Sequence, residues 1–153
     1  MPDSQDSDSR SGVTFAATVD ESKRKAVERL FFFHPRQSDY IEAIRETIEA
    51  TGLPRLAQAS GRISVEVPSG AFQCLFAIDE STSDPVGVAL YCRPDPTTLW
   101  IAHLATIPDD LSVTGEASIP GMLVGKLAEI ARAIRGVKRI QLPYRHERYI
   151  RLR

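Results

Sequence analysis

Cysteine is scarce in this chain: there are two among 153 residues, Cys74 and Cys92, each alone in an apolar segment without a CxxC partner or a ligand-spaced histidine. That spacing argues against a disulfide framework or a thiolate metal site, and a buried, reduced core thiol is the expected role. Long apolar runs are also missing. No stretch approaches the roughly 18 residues a membrane span needs, and the opening MPDSQDSDSR is polar and acidic rather than basic then apolar, so neither a signal peptide nor a membrane anchor is expected. No Walker-type loop, Ser-His-Asp arrangement, metal-ligand constellation or internal repeat is present, which removes the most recognisable nucleotide, hydrolase and solenoid classes. The expected setting is the cytoplasm.

What remains is ordinary globular material, 42% hydrophobic and 25% charged, in a length suited to one core. Residues 1–12 are rich in Ser and Asp with almost nothing to bury, so they read as a disordered acidic tail, and 13–153 as a single domain. The net charge of -1 conceals an uneven distribution. The first eight residues hold three Asp and no base, whereas Ile130 to Arg153 holds eight Lys/Arg against Glu147 alone. Spread over 24 residues without aromatic interleaving, those bases read as a solvated face and tail, which argues against a nucleic-acid partner.

Along the chain, VTFAATV (13–19) predicts a strand, and Asp20 an N-cap for a helix through ESKRKAVERLFFFH, with Ala26, Val27, Leu30, Phe31 and His34 at helical spacing. Ser38 is placed to cap a second helix carrying Tyr40, Ile41, Ile44 and Ile48 on one side, stopped by Gly52 and Pro54. The period then changes. Ile63, Val65 and Val67 alternate in RISVEV, PSG breaks the strand, and AFQCLFAID predicts its hairpin partner. VGVALYCR and LWIAHLATI follow after short polar turns, completing an antiparallel meander. Pro120 opens a helix with Met122, Leu123, Leu127, Ile130, Ala131 and Ile134 at helical spacing and Gly136 after it. VKRIQLP supplies one more strand.

This order of elements is similar to that of the GNAT superfamily of N-acyltransferases, and local sequence carries the resemblance further. HLATIPDD (103–110) resembles the end of that family's fourth strand, and GMLVGKLAEIARAIRGVKRIQL (121–142) resembles the helix and parallel fifth strand that follow. The likeness covers about residues 72–153 by local sequence and the first half by element order. It implies an α+β fold with a central mixed, mostly antiparallel sheet flanked by helices, here without the family's last two strands.

The resemblance also implies a site. The family's fourth and fifth strands splay apart, and backbone groups at the end of the fourth bond the pantetheine arm of acetyl-CoA or another acyl-CoA; the matching positions are Leu104, Ala105 and Thr106. The pyrophosphate rests on amides of a Gly-rich turn at a helix N-terminus, where unpaired N–H groups and the positive dipole end favour an anion. Gly115, Ala117, Ser118 and Ile119 align with that turn, and Gly121 joins them if the alignment slips by one. Pro120 has no N–H to donate, and Glu116 would repel a diphosphate unless it pointed away. After the fifth strand the family continues into a helix whose Tyr often protonates the leaving thiolate; YIRL (149–152) aligns with the start of that helix, leaving Arg153 where the Tyr would stand and Tyr144 or Tyr149 as substitutes.

His103, on the opposite face from Trp100, Ala102 and Leu104 by strict alternation, and Glu116 in the loop are the candidate bases toward an amine. For His103 a hydrogen-bonded sheet-face histidine stands as the plainer alternative, and for Glu116 a solvated carboxylate. The function so implied is acetyl transfer to a small-molecule or peptide amine. The alternative is a non-catalytic module that senses acyl-CoA, or that pairs its open sheet edge with a protein or a second copy of itself in a homodimer.

Overall fold

The computed structural model describes residues 12–30, 41–107, 118–144 and 149–152. The expected tail 1–12 lies outside them but for Gly12, as do Phe31 to Phe33, His34, Ser38, Tyr40 and His146.

VTFAATV is not one strand but two. Val13–Ala16 (β1) and Val19–Asp20 (β2) belong to different sheets, because Val13 and Phe15 face one core and Val19 the other. Asp20 caps as expected, its carboxylate accepting from Ser22 N at 2.9 Å, and a 3-10 turn leads into Arg24–Glu28 (α1), which buries Val27. Ile41–Thr51 (α2) ends at Gly52, whose φ of 89° and contact with the Pro68 ring leave no room for a side chain.

Next comes a strand that the sequence pattern did not suggest. Arg55–Ala59 (β3) pairs with Arg62–Glu66 (β4) through Ser60 and Gly61, at φ 53° and 77°. Two positive φ values in a two-residue loop match the right-handed twist of a hairpin. The hairpin therefore precedes RISVEV rather than following it. β4 also pairs with β2, so these three strands form a small separate sheet.

The large sheet has the order β1-β5-β6-β7-β8-β9, from Gln73–Asp79 (β5), Pro85–Asp95 (β6), Thr98–Thr106 (β7), Arg139–Gln141 (β8) and Tyr149–Arg151 (β9). All pairings are antiparallel except β7 with β8. The mixed, mostly antiparallel sheet flanked by helices is thus as the sequence implied. YIRL is a correction: Tyr149 to Arg151 is an edge strand on β8 and not the opening of a helix, so the open edge belongs to β9.

Ile119–Arg132 (α3) covers one face of this sheet, burying Ile119, Leu123, Leu127, Ala128 and Ala131 against Leu75, Ala77, Ala89, Leu99, Ile101, Leu104 and Ile140. Gly87 sets how closely the helix approaches, since a Cβ there would stand 2.5 Å from Ile119 Cγ2. The other face meets the small sheet and α1 in a second core of Val27, Leu30, Ile63, Val65, Val67, Phe76, Val88 and Leu90. Cys74 lies in that core as a free thiol, and burial pushes its pKa up to about 12.

A bulge in β7 overturns the expected facing of His103. Leu90 pairs with His103 but Tyr91 with Ile101, so Ala102 is an extra residue on β7. Leu99, Ile101 and Leu104 consequently all face α3, while His103 shares the second-core face with its partner Leu90 and with Trp100, which meets Phe72 edge to face at 5.9 Å.

Candidate acyl-CoA site

β7 keeps its parallel partner only from Thr98 to Trp100, where β8 ends at Gln141, yet β7 itself runs on to Thr106. Ile107 N donates to Val86 O at 3.1 Å, which fixes the phase of the strand. Backbone groups of alternate residues point to alternate sides, so those of Leu104 and Thr106 turn away from β6 toward the side that β8 has left. β7 thus outruns β8 at the end that carries Leu104 and Thr106, leaving a splay beside the start of α3.

Leu104 does not present a bare edge. Its N–H donates to the Tyr144 hydroxyl at 3.1 Å, and that oxygen stands 3.5 Å from Leu104 O and 3.4 Å from His103 Nδ1. His103 Nε2 lies 2.8 Å from Thr51 Oγ1 on α2. The Thr51 hydroxyl proton has the Thr47 carbonyl at 2.8 Å, a standard back-bond in a helix, which leaves its lone pairs for the imidazole. Inference from these partners gives His103 a proton on Nε2 and a lone pair on Nδ1. The chain then runs Leu104 N–H to Tyr144 O–H to His103 Nδ1, and His103 Nε2–H to Thr51 O–H to Thr47 O.

Burial sets the charge states. His103 is 7% exposed, and desolvation lowers its pKa to about 4, so the imidazole is neutral at pH 7. Desolvation pushes Tyr144 up to about 12 against the opposing effect of the Leu104 backbone bond, so the phenol keeps its proton. Tyr144 is also held at φ 60°, a left-handed conformation that is costly for a bulky residue and that turns its ring back onto β7.

As a base toward substrate, His103 is poorly placed, because both ring nitrogens already face protein partners. Thr106 differs. It is fully buried, and its Oγ1 is the one buried side-chain polar atom without a hydrogen-bond partner among the described residues. An orphaned hydroxyl costs about 1–3 kcal/mol, a penalty that a ligand group could relieve.

At the start of α3, the Ser118 side chain accepts from Gly121 N at 3.2 Å, Met122 N is satisfied by Ser118 O, and Pro120 has no N–H. Ser118 therefore caps the helix as expected, but the Gly121 amide is engaged, and Ile119 also has a partner. An anion here would have to replace the serine. Gly115, Glu116 and Ala117 lie outside the described residues. Ala105 turns its side chain toward the second core and its backbone groups toward β6, so, against expectation, it offers neither to a ligand on the open side.

Tyr149, the other substitute for the family's acid, is ruled out by position: its ring lies under the Arg139 guanidinium on the outer strand. Sequence reasoning missed the part Thr51 plays and the prominence of Tyr144. No pattern signals that a helix C-terminal threonine will meet a histidine 52 residues later. The unusual backbone of Tyr144, just after a proline, carries no sequence signature either.

No family model and no curated protein matches the chain. Among solved structures, it is similar to a candidate acetyltransferase of the GNAT family from Desulfovibrio desulfuricans subsp., at 20% identity over 84% of this chain and 70% of that one, with a TM-score of 0.39.

Proposed function

We propose that the chain is an acyl-CoA-dependent N-acyltransferase that delivers an acetyl group to an amine. The observation that carries this reading is the vacated side of β7, where Leu104 and Thr106 direct backbone groups into the gap left by β8, beside the N-terminus of a well-formed helix. A pantetheine arm is an extended chain that carries amide N–H and C=O groups, so it can hydrogen-bond along the open side of the strand. The buried hydroxyl of Thr106 is a further polar group in reach of such a ligand.

In this reading the ligand takes over the Leu104 N–H, and the Tyr144 hydroxyl moves aside while staying next to the thioester. It is then the group positioned to protonate the departing thiolate, with His103 and Thr51 orienting its ring rather than touching substrate. The amine attacks the thioester carbonyl, the carbon–sulfur bond breaks, the amine proton leaves to solvent or a loop base such as Glu116, and the thiolate receives the phenolic proton.

A second reading, a non-catalytic acyl-CoA-binding or protein-binding module, is favoured by the occupied state of the site. Tyr144 fills the Leu104 bond, Ser118 fills the Gly121 amide, and the neutral His103 is fully engaged. A homodimer or protein partner would then use the β9 edge, where Tyr149 and Ile150 are exposed.

Calorimetric titration with acetyl-CoA, followed by a thiol-release assay across amines and peptides, separates the two. Binding with CoA release and loss of release in Tyr144→Phe supports the transferase; binding with no release across the panel supports the module. No binding at millimolar ligand sinks both acyl-CoA versions.

A further inference from the structure

The far end of the β8–β9 ribbon holds an arrangement that the acyl-CoA reading does not use. Arg139 and Arg151 are cross-strand partners, and Leu152 N donates to Lys138 O at 2.8 Å. That bond makes 138 with 152 a hydrogen-bonded pair and 139 with 151 a non-hydrogen-bonded one, the kind whose side chains approach most closely. Like charges directly opposite one another destabilise a ribbon. Ile140, between them in sequence, is buried on the α3 face, so the two arginines project together from the opposite face.

These cations surround a concavity of about 590 Å³ lined by Thr97, Lys138, Arg139, Tyr149, Arg151 and Leu152. Arg139 is fixed in place: its Nε donates to Thr98 Oγ1 at 2.8 Å, and its guanidinium lies 4.1 Å over the Tyr149 ring. Among the described residues no carboxylate forms an ion pair with Lys138, Arg139 or Arg151. Asp95 feels the charge of Arg139. Its carboxyl is held low first by hydrogen bonds from Thr97, with the charge of Arg139 the smallest contribution.

We infer that this concavity is a binding site for a phosphomonoester. Two arginines converging on one space suit a tetrahedral dianion, which can accept from both forks at once, whereas one carboxylate engages a single fork. The volume exceeds what a bare phosphate fills and falls within the range of small-molecule sites. The site is separate from the splay. From Thr98, beside Arg139, to Leu104 is six residues of strand, about 20 Å. The proposal is therefore independent of the acyl-CoA reading.

The test is an NMR titration of the full chain in a phosphate-free buffer at fixed ionic strength, reading the Arg139 and Arg151 Nε–H signals and the Tyr149 ring. The probes are inorganic phosphate, phosphoserine and succinate. Saturable shifts with both phosphates, weaker with succinate, are expected, and Arg151→Gln should cut the affinity about tenfold or more. Arg151→Lys, which keeps the charge but loses the fork, should weaken binding in the same direction by less and guards against a folding defect in the glutamine variant. Shifts that stay linear into the tens of millimolar, an unchanged affinity in both variants, or succinate binding as well as phosphate would overturn the assignment. Displacement of phosphate by 3′-dephospho-acetyl-CoA, which carries no phosphomonoester, would overturn the separateness of the site.

Discussion

At one end of β7, Thr98 to Trp100 run beside β8 in an unbroken parallel ladder, and the side chains beyond the ladder are basic and exposed. At the other end, six residues later, the partner strand has gone, and the groups that fill its place are neutral, buried and linked by hydrogen bonds. The strand is the same; its surroundings differ in dielectric. Water screens Arg139 and Arg151, so their mutual repulsion is tolerable, while the buried end permits no net charge and holds both His103 and Tyr144 uncharged at neutral pH. A site that handles a thioester and an amine benefits from the second environment, and a site that captures a dianion from the first.

The largest effect should come from acid at the buried end. The folded-state pKa of His103 is about 4 against 6.5 for the free group, so between those values the unfolded chain binds the proton that the folded chain refuses. Stability is therefore highest above pH 6.5 and falls as the pH drops toward about 4, by about 3 kcal/mol in all. Urea denaturation at pH 7 and pH 4 measures it. His103→Gln should flatten this slope, and Arg151→Gln, at the exposed end, should leave it unchanged.

A packing change comes next. Gly87→Ala places a Cβ against Ile119 Cγ2 at 2.5 Å, at the point where α3 starts beside the splay, and should cost about 1–3 kcal/mol in denaturant titrations. Tyr144→Phe is comparable, about 1–2 kcal/mol, since it removes the hydroxyl's partly buried hydrogen bonds with Leu104 N–H and His103 Nδ1. The same change frees the Leu104 N–H, so acetyl-CoA should bind a few-fold more tightly to the variant even as thiol release falls. Smallest of all, Arg151→Gln relieves the like-charge pair and should raise stability by about 0.5 kcal/mol in low salt, an increment that vanishes at high salt.

Much of the large sheet was legible in the sequence because its strands run apolar between clear turns, as in AFQCLFAID and LWIAHLATI. The α3 helix was legible for a similar reason, with Ser118, Pro120 and Gly136 marking its limits. The misreadings have physical causes. RLAQA lacks β-branched and aromatic residues, so only the Ser60-Gly61 turn betrayed β3, and the hairpin was expected one strand too late. Strict alternation put His103 on the wrong face because one residue, Ala102, drops out of register, and a bulge has no pattern of its own. At the site, the end of β7 could be read from where LWIAHLATI stops. The Tyr144–His103–Thr51 chain could not, since its members come from a turn, a strand and a helix that only the folded chain brings together.

The most direct test of the central claim is the backbone amide of Leu104 itself, followed by NMR as acetyl-CoA is added to the wild-type chain. If the splay is the acyl-CoA site, the Leu104 and Thr106 amides and the Tyr144 ring shift together and saturate. If those amides do not move at millimolar acetyl-CoA, the splay is not an acyl-CoA site and the claim fails.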